Sequence, residues 1–143
     1  MADVYEGDNF QGFSSMLRAA LGDKLAPEAS SFAEMMAVDG VIEFPYAPPG
    51  LPRRLEGRAA VKAHLERLVG LIDIERMVGL VIHRTVGPNV LILEFGCEGR
   101  AVANDKPYNQ RYISVITLKN GLISHYADYW NPLIVLDAMG PAR

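Results

Sequence analysis

One carboxylate lies within an aromatic segment near the end of the chain, residues 126–132, with the sequence YADYWNP. Alternate side chains of a strand share a face, so Tyr126, Asp128 and Trp130 are predicted to point to the same side. If that side is the interior, burial disfavours the charged carboxylate and raises its pKa. A carboxyl group of that kind can act as a general acid or base near neutral pH. The alternative is a solvated aspartate at a strand end.

His64 is the second group that could transfer a proton. It lies three residues after Val61 on a helix predicted from Gly57 to Val69, beside the apolar stripe of that helix. Imidazole titrates near working pH, so His64 could exchange a proton with Asp128 or with a ligand. The alternative is a surface histidine on the flank of the helix. The other two histidines, His83 and His125, are predicted to be packing or interface residues.

A mainly aromatic set of residues is predicted to line a pocket around this carboxylate. A tyrosine offers an apolar body and a hydroxyl group, which can orient the polar edge of a ligand. The predicted ligand-binding residues are Phe44, Tyr46, Tyr112, Ser114, Tyr126, Trp130, Phe95 and Met36. Taken singly, each could equally be a core residue of a curved sheet.

Glu94 falls in the opposite phase of its strand and is assigned to the outer surface or a dimer contact. Arg54 is either a clamp for an anionic ligand or a solvated loop residue.

Helices in the first half and strands in the second would position these residues. Helices are predicted over 10–21 with Asn9 as cap, from Pro27 to Gly40, and over 57–69; a short strand, 41–44, precedes a proline-rich loop. Strands are predicted over 77–85, 90–97, 108–118 and 122–130, with a turn at Asn120-Gly121 and a final helical segment over 132–139. This order indicates the α+β class, with a curved sheet of four to six strands around helices. The 143 residues fit one domain, in which residues 1–9 are predicted to be a loose tail.

Composition limits the partners and cofactors that are expected. The formal net charge is −3 and the basic residues are dispersed, which argues against nucleic acid or an anionic membrane as a partner. Cys97 is the single cysteine, and no metal triad, phosphate-binding glycine loop or dinucleotide fingerprint occurs, so neither metal nor cofactor is expected. No signal peptide is recognised, and no apolar run approaches the ~20 residues that span a bilayer. A cytoplasmic location is therefore expected.

The order of elements resembles the NTF2-like superfamily, and within it the SnoaL-like and ketosteroid-isomerase-like proteins. Three segments carry this resemblance, residues 44–50 (FPYAPPG), 55–61 (LEGRAAV) and 126–132 (YADYWNP), and it covers roughly 10–139. It implies a cone in which a curved mixed sheet wraps around three N-terminal helices and leaves an apolar pocket. The outward strand phase contains Val90, Ile92, Ile113 and Val115, which predicts a homodimer through the sheet.

The catalytic residues of two relatives are missing from this chain. Ketosteroid isomerase uses an Asp base with a Tyr and a protonated Asp as oxyanion donors. By alignment the base position is Phe44, the second Asp falls at Ser114 and the Tyr falls near Ser15 or Met16, so that mechanism is excluded. Limonene epoxide hydrolase matches only at Asp128, because its Arg and second Asp would fall near Glu94 and Gly96.

The PhzA/B-type phenazine-biosynthesis proteins are the better match. They carry an acid just before an aromatic-x-Asn-Pro stop, where this chain has Asp128, and that acid works with a pocket histidine, here matched to His64. The resemblance implies an isomerase, cyclase or dehydratase without cofactor, acting on a hydrophobic carbonyl-bearing molecule. Two alternatives stay open: a non-catalytic module that binds an apolar small molecule, and an assembly domain whose cone is filled by its own side chains.

Overall fold

The computed structural model describes residues 4–6 and 10–140, which form one curved sheet covered on one side by helices. The elements, in chain order, are β1 (Val4–Glu6), α1 (Phe10–Leu21), a 3-10 turn (Gly22–Lys24), α2 (Phe32–Met35), β2 (Met36–Glu43), β3 (Arg54–Glu56), α3 (Arg58–Val69), β4 (Ile72–Arg84), β5 (Val90–Ala101), β6 (Arg111–Lys119), β7 (Leu122–Trp130) and α4 (Pro132–Met139). Among the described residues, seven strands lie in the order β1-β4-β5-β6-β7-β2-β3. Of these strands only β2 and β7 pair in parallel in the described part of the chain, so the sheet is mixed.

Irregular pairings give the sheet its curvature. The β4–β5 register shifts twice, between Ile74 and Arg76 and between Val78 and Val81. Gly79, with a φ of +70°, occupies the second shift, where a left-handed backbone conformation favours glycine. Because bulges bend and twist a strand, the sheet acquires a concave face that can hold helices and a ligand.

The core lies between this concave face and the helices. Leu91, Leu93, Phe95 and Cys97 alternate along β5 and are all buried, which confirms that Glu94 falls in the opposite phase. Opposite them, α1 buries its Met16 among other apolar side chains, as its helical spacing predicts. The sheet therefore has an apolar inner face and a more polar outer face.

The second predicted helix is wrong over most of its length. Ser31 and Glu34 form a capping box, but α2 ends at Met35 and the chain continues as β2. The parallel pairing of β2 with β7 holds Met36–Glu43 extended, and that long-range contact overrides the helical pattern.

The sheet also has more strands than predicted. Val4–Glu6, within the predicted loose tail, pairs antiparallel with β4, and Arg54–Glu56 pairs with β2. The predicted cap Asn9 lies outside the described residues.

Other predictions are confirmed. Helices α1, α3 and α4 lie where predicted, and Asn120 and Gly121 form the β6–β7 hairpin turn with φ of 55° and 80°. Within the described ranges, none of the helices has the length and apolar character needed to cross a membrane.

Candidate functional site

A cavity of about 480 Å³ lies between the concave face and the helices. Apolar side chains form most of its wall, including residues of all four α-helices. The wall residues with polar chemistry are His64, Asn104, Tyr108, Tyr112, Tyr126 and Asp128. An apolar cavity with a few converging polar groups is the usual form of a small-molecule site.

Asp128 is the acidic residue of this wall. It lies on β7 opposite Ser114, and its face of the strand also presents Tyr126 and Trp130 to the cavity. The Oδ1 atom is shielded from solvent and has no hydrogen-bond partner in the described structure, whereas the residue as a whole is half-buried because it borders the cavity. Burial raises the pKa of Asp128 to about 7. The predicted orientation of this side chain is confirmed.

Three tyrosines of the cavity wall lie close enough to Asp128 for its charge to affect them. Burial, with a smaller contribution from the charge of Asp128, raises the pKa of Tyr112 and Tyr126 well above the ordinary value and that of Tyr108 to about 12. All three therefore stay protonated near neutral pH. The Tyr126 hydroxyl is bonded to the Ser114 hydroxyl at 2.7 Å, while the Tyr112 hydroxyl lies 3.6 Å from the Cys97 thiol.

His64 also reaches the cavity, from α3. Its ring centroid lies 5.4 Å from that of Phe44, and burial and the charge of Arg67 lower its pKa. The Arg67 guanidinium lies 3.4 Å from Nδ1 and can only donate, so Nδ1 accepts and the ring proton resides on Nε2. Among the described residues no hydrogen bond or ion pair joins His64 to Asp128. Any cooperation between them would therefore pass through a ligand.

Five of the predicted ligand-binding residues line the cavity: Phe44, Phe95, Tyr112, Tyr126 and Trp130. Phe44 and Trp130 lie with ring centroids 6.2 Å apart, and Phe95 stacks on Tyr112 at 5.0 Å. Two neighbouring parts of the wall are thus built from paired rings.

The other three predicted ligand-binding residues do not line the cavity. Tyr46 is 59% exposed, because the proline-rich loop carries it outward to pack edge-on against Tyr129. Met36 is fully buried at the start of β2, where its side chain packs beside Gly40. Ser114 is fully buried beneath the wall and contributes through its bond to Tyr126.

The sequence reasoning missed Tyr108, Asn104 and the contribution of α4. Asn104 donates to the carbonyls of Ala138 at 3.0 Å and Gly140 at 3.2 Å, which ties the end of α4 to the turn after β5. The sequence predicts a helical segment over 132–139, but no local pattern places it beside Asn104, which lies 34 residues before Ala138 and 36 before Gly140.

The remaining candidates lie away from the cavity. Glu94 accepts a 2.6 Å hydrogen bond from His83, and Glu43 one from His125 at the same distance, both on the outer face. Arg54 pairs with Glu43 and Glu56 rather than facing the cavity, so the clamp for an anionic ligand is not formed. In the part of the chain that the structure describes, no three metal-ligating side chains cluster.

The comparison with known families agrees with this architecture. The model of the SnoaL-like domain matches residues 19–126. The chain belongs to the SnoaL-like family, with an NTF2-like fold. The predicted resemblance is therefore confirmed.

Two sequence relatives cover most of this SnoaL-like chain. The uncharacterised protein YesE of Bacillus subtilis is 36% identical over 133 residues, which are 93% of this chain and 90% of that protein. An uncharacterised PhzA/B-like protein of Pseudomonas aeruginosa is 36% identical over 113 residues, 79% of each chain.

Solved structures show the same architecture. The crystal structure of a candidate isomerase from Bacillus subtilis is 37% identical, with a TM-score of 0.76 over 88% of this chain and 91% of that one. A phenazine biosynthesis-related protein of Pseudomonas aeruginosa has a TM-score of 0.70 over 88% of this chain and 83% of its own, at 17% identity, so it shows the fold alone.

Proposed function

We propose that this SnoaL-like protein is an enzyme in which Asp128 transfers a proton to or from a hydrophobic, carbonyl-bearing small molecule. The observation that carries the proposal is a carboxyl group on the wall of an apolar cavity large enough for a ligand, with its Oδ1 atom shielded from solvent and without a partner among the described residues. With a pKa of about 7, Asp128 populates both its acid and its base form near neutral pH. It can therefore take a proton from one carbon of a ligand and return it to another.

The tyrosine hydroxyls would bind the carbonyl oxygen. Removing a proton beside a carbonyl places negative charge on that oxygen, and hydrogen-bond donors fixed in an apolar site stabilise such charge. Tyr108, Tyr112 and Tyr126 all line the cavity, and in the hydrogen bond between Tyr126 and Ser114 either hydroxyl can donate, so each of the three phenols is a candidate donor. His64, with its proton on Nε2, could assist from α3, while Phe44 and Trp130 would hold the apolar body of the ligand.

Isomerisation, cyclisation and dehydration are the reaction classes that this arrangement supports. Each can begin with proton transfer at the carbon next to a carbonyl, so one carboxyl group and one or two oxygen-binding donors suffice. The 37% identity to a candidate isomerase from Bacillus subtilis supports the first of these classes. The direction of proton transfer follows from the substrate rather than from the site.

Replacement of Asp128 by Asn tests the proposal. The probe is 2-tetralone, a small hydrophobic ketone, whose exchange of hydrogen beside the carbonyl for deuterium is followed by NMR in heavy water. The wild-type protein is expected to accelerate exchange with an inflection near pH 7, and Asp128→Asn to lower the acceleration by ~10²-fold or more. Tyr46→Phe, which alters an exposed ring outside the cavity, is the matched control and should exchange at the wild-type rate.

The outcomes distinguish the proposed enzyme from a non-catalytic module that binds an apolar small molecule. Undiminished exchange in Asp128→Asn would contradict the assignment of Asp128 as the proton-transfer group. Binding of the ketone to the wild-type protein without accelerated exchange would favour a non-catalytic module that holds an apolar molecule.

We also propose that two copies of the chain associate through the outer face of the sheet. Ile113 is 46% exposed on this face and Val81 is 48% exposed. They lie on the two strands that flank β5, and both pair with Glu94. Ile92 and Val115 are half-buried nearby. Apolar side chains at the centre of a sheet face are suited to burial against a second copy.

A further inference from the structure

The cavity wall contains an acid but no basic residue with a permanent charge. Among the described residues that line it, Asp128 is the one carboxyl group, and neither lysine nor arginine is present. The nearby arginines are engaged elsewhere: Arg53 donates to the carbonyl of Ala47 at 2.8 Å, and Arg54 pairs with glutamates. An anionic ligand would therefore find no countercharge in the cavity and would meet the carboxylate of Asp128.

Aromatic rings surround this acid. Tyr126 and Trp130 flank Asp128 on the same face of β7, and Tyr112 lies opposite Trp130 on β6. Phe44 extends the wall beyond Trp130. The face of an aromatic ring attracts cations, and the attraction grows when water is excluded.

We propose that this cavity binds hydrophobic ammonium ions, with the positive nitrogen beside the Asp128 carboxylate and the apolar body against the surrounding rings. The Asp128 carboxylate borders the cavity, and its shielded Oδ1 atom has no partner among the described residues, so nothing there offsets the charge that such a cation would neutralise. The inference rests on the same Asp128 environment as the proposed function, but it requires no proton transfer. It names the charge class of ligand that the site selects: neutral molecules and organic cations enter, and carboxylates and phosphates are rejected.

The proposal makes affinity depend on pH in a fixed direction. A permanent cation binds the ionised form of Asp128, so its affinity should rise with pH until that form predominates. The titratable groups facing Asp128 from other elements are Tyr108, Tyr112 on β6, and His64 across the cavity, with Tyr126 beside it on β7; the Cys97 thiol contacts Tyr112. The thiol and the phenols have raised pKa values and stay neutral through this range, whereas the pKa of His64 is lowered. His64 thus loses its charge at the acid end.

Benzyltrimethylammonium and neopentylbenzene form a matched pair of probes, because they differ in replacing a charged nitrogen with carbon. Binding of each to the wild-type chain is measured by protein-observed NMR titration at pH 5.5 and pH 8. The ammonium ion is expected to bind about tenfold or more tightly at pH 8 than at pH 5.5, since Asp128 is mostly protonated at the lower pH. Neopentylbenzene should show no such rise.

Two variants identify the responsible group. Asp128→Asn should weaken benzyltrimethylammonium binding at pH 8 by about tenfold or more and keep neopentylbenzene binding, which also shows that the cavity is intact. His64→Gln should keep the rise with pH. A rise that vanishes in His64→Gln, or one that survives in Asp128→Asn, would overturn the assignment to Asp128.

The wild-type data test the proposal without any variant. Equal affinity of the two probes at pH 8 would overturn the proposal that the cavity binds ammonium ions. The proposed enzyme would still be supported in that case if the exchange of 2-tetralone depended on Asp128. Conversely, ammonium binding without tetralone exchange would support the cation site and count against the enzyme.

Discussion

Two carboxyl groups of this chain have pKa values on opposite sides of the ordinary range. Glu34 is exposed and accepts hydrogen bonds from the backbone and hydroxyl groups of Ser30 and Ser31, which lower its pKa to about 2. The Oδ1 atom of Asp128 is shielded from water without donors to replace it, and burial raises the pKa of this carboxyl to about 7. The same chemical group is thus a cap in one place and, in the proposed function, a proton carrier in the other, because its surroundings stabilise different forms.

Strand periodicity predicted the direction of the site's side chains correctly wherever the strand itself was predicted correctly. Tyr126, Asp128 and Trp130 were predicted to share an inward face, and all three line the cavity. Tyr46 does not line the cavity, because it lies in an irregular loop where no periodicity fixes the direction of the side chain. Met36 does not line it either, because a strand replaced the predicted helix.

At the scale of elements, Gln110 fixes the junction between β7 and α4. Its side chain is almost fully buried and makes three hydrogen bonds: Nε2 donates to the carbonyl of Asn131 at 3.0 Å, and Oε1 accepts from the amides of Asn131 and Arg111 at 2.9 and 3.0 Å. Asn131 in turn caps α4 by accepting from the amide of Leu133. This junction, at Asn131, lies three residues after Asp128 and carries the helix that closes one side of the cavity.

Gln110→Ala is expected to lower the free energy of unfolding by ~1–3 kcal/mol, because it leaves the backbone groups of Asn131 without partners. Asn131→Ala removes only the helix cap and should cost ~1 kcal/mol. Urea unfolding of the two variants and the wild type measures both. A Gln110→Ala variant as stable as the wild type would contradict the role given to this residue.

Local sequence patterns predicted the helices and strands better than they predicted which of these elements contact one another. Spacing and turn residues located α1, α3, the β6–β7 hairpin and α4. The parallel pairing of β2 with β7 and the contact of Asn104 with α4 join distant parts of the chain, and no local pattern encodes them. The apolar character of the cavity could be predicted because it follows from local spacing. The closure of the cavity by α4 could not, because it depends on a long-range contact.

For the whole molecule, the proposed dimer predicts that the outer face can be altered without changing the cavity. The wild-type chain should sediment as a dimer, and Ile113→Asp as a monomer, because a charge would be placed at the centre of the interface. Val86→Asp, at the exposed β4–β5 turn, is the control and should remain a dimer. A monomeric wild type, or a dimeric Ile113→Asp, would contradict this interface.

The raised pKa of Asp128 is common to both proposals for the cavity, and a direct titration tests it. The carboxyl carbon of Asp128 is followed by ¹³C NMR from pH 3 to pH 9, with Asp128→Asn used to assign the signal. The structure predicts a midpoint at about 7. A midpoint near 3.9, the value of an unperturbed aspartate, would show that water or a hydrogen-bond donor reaches this group and would contradict the account.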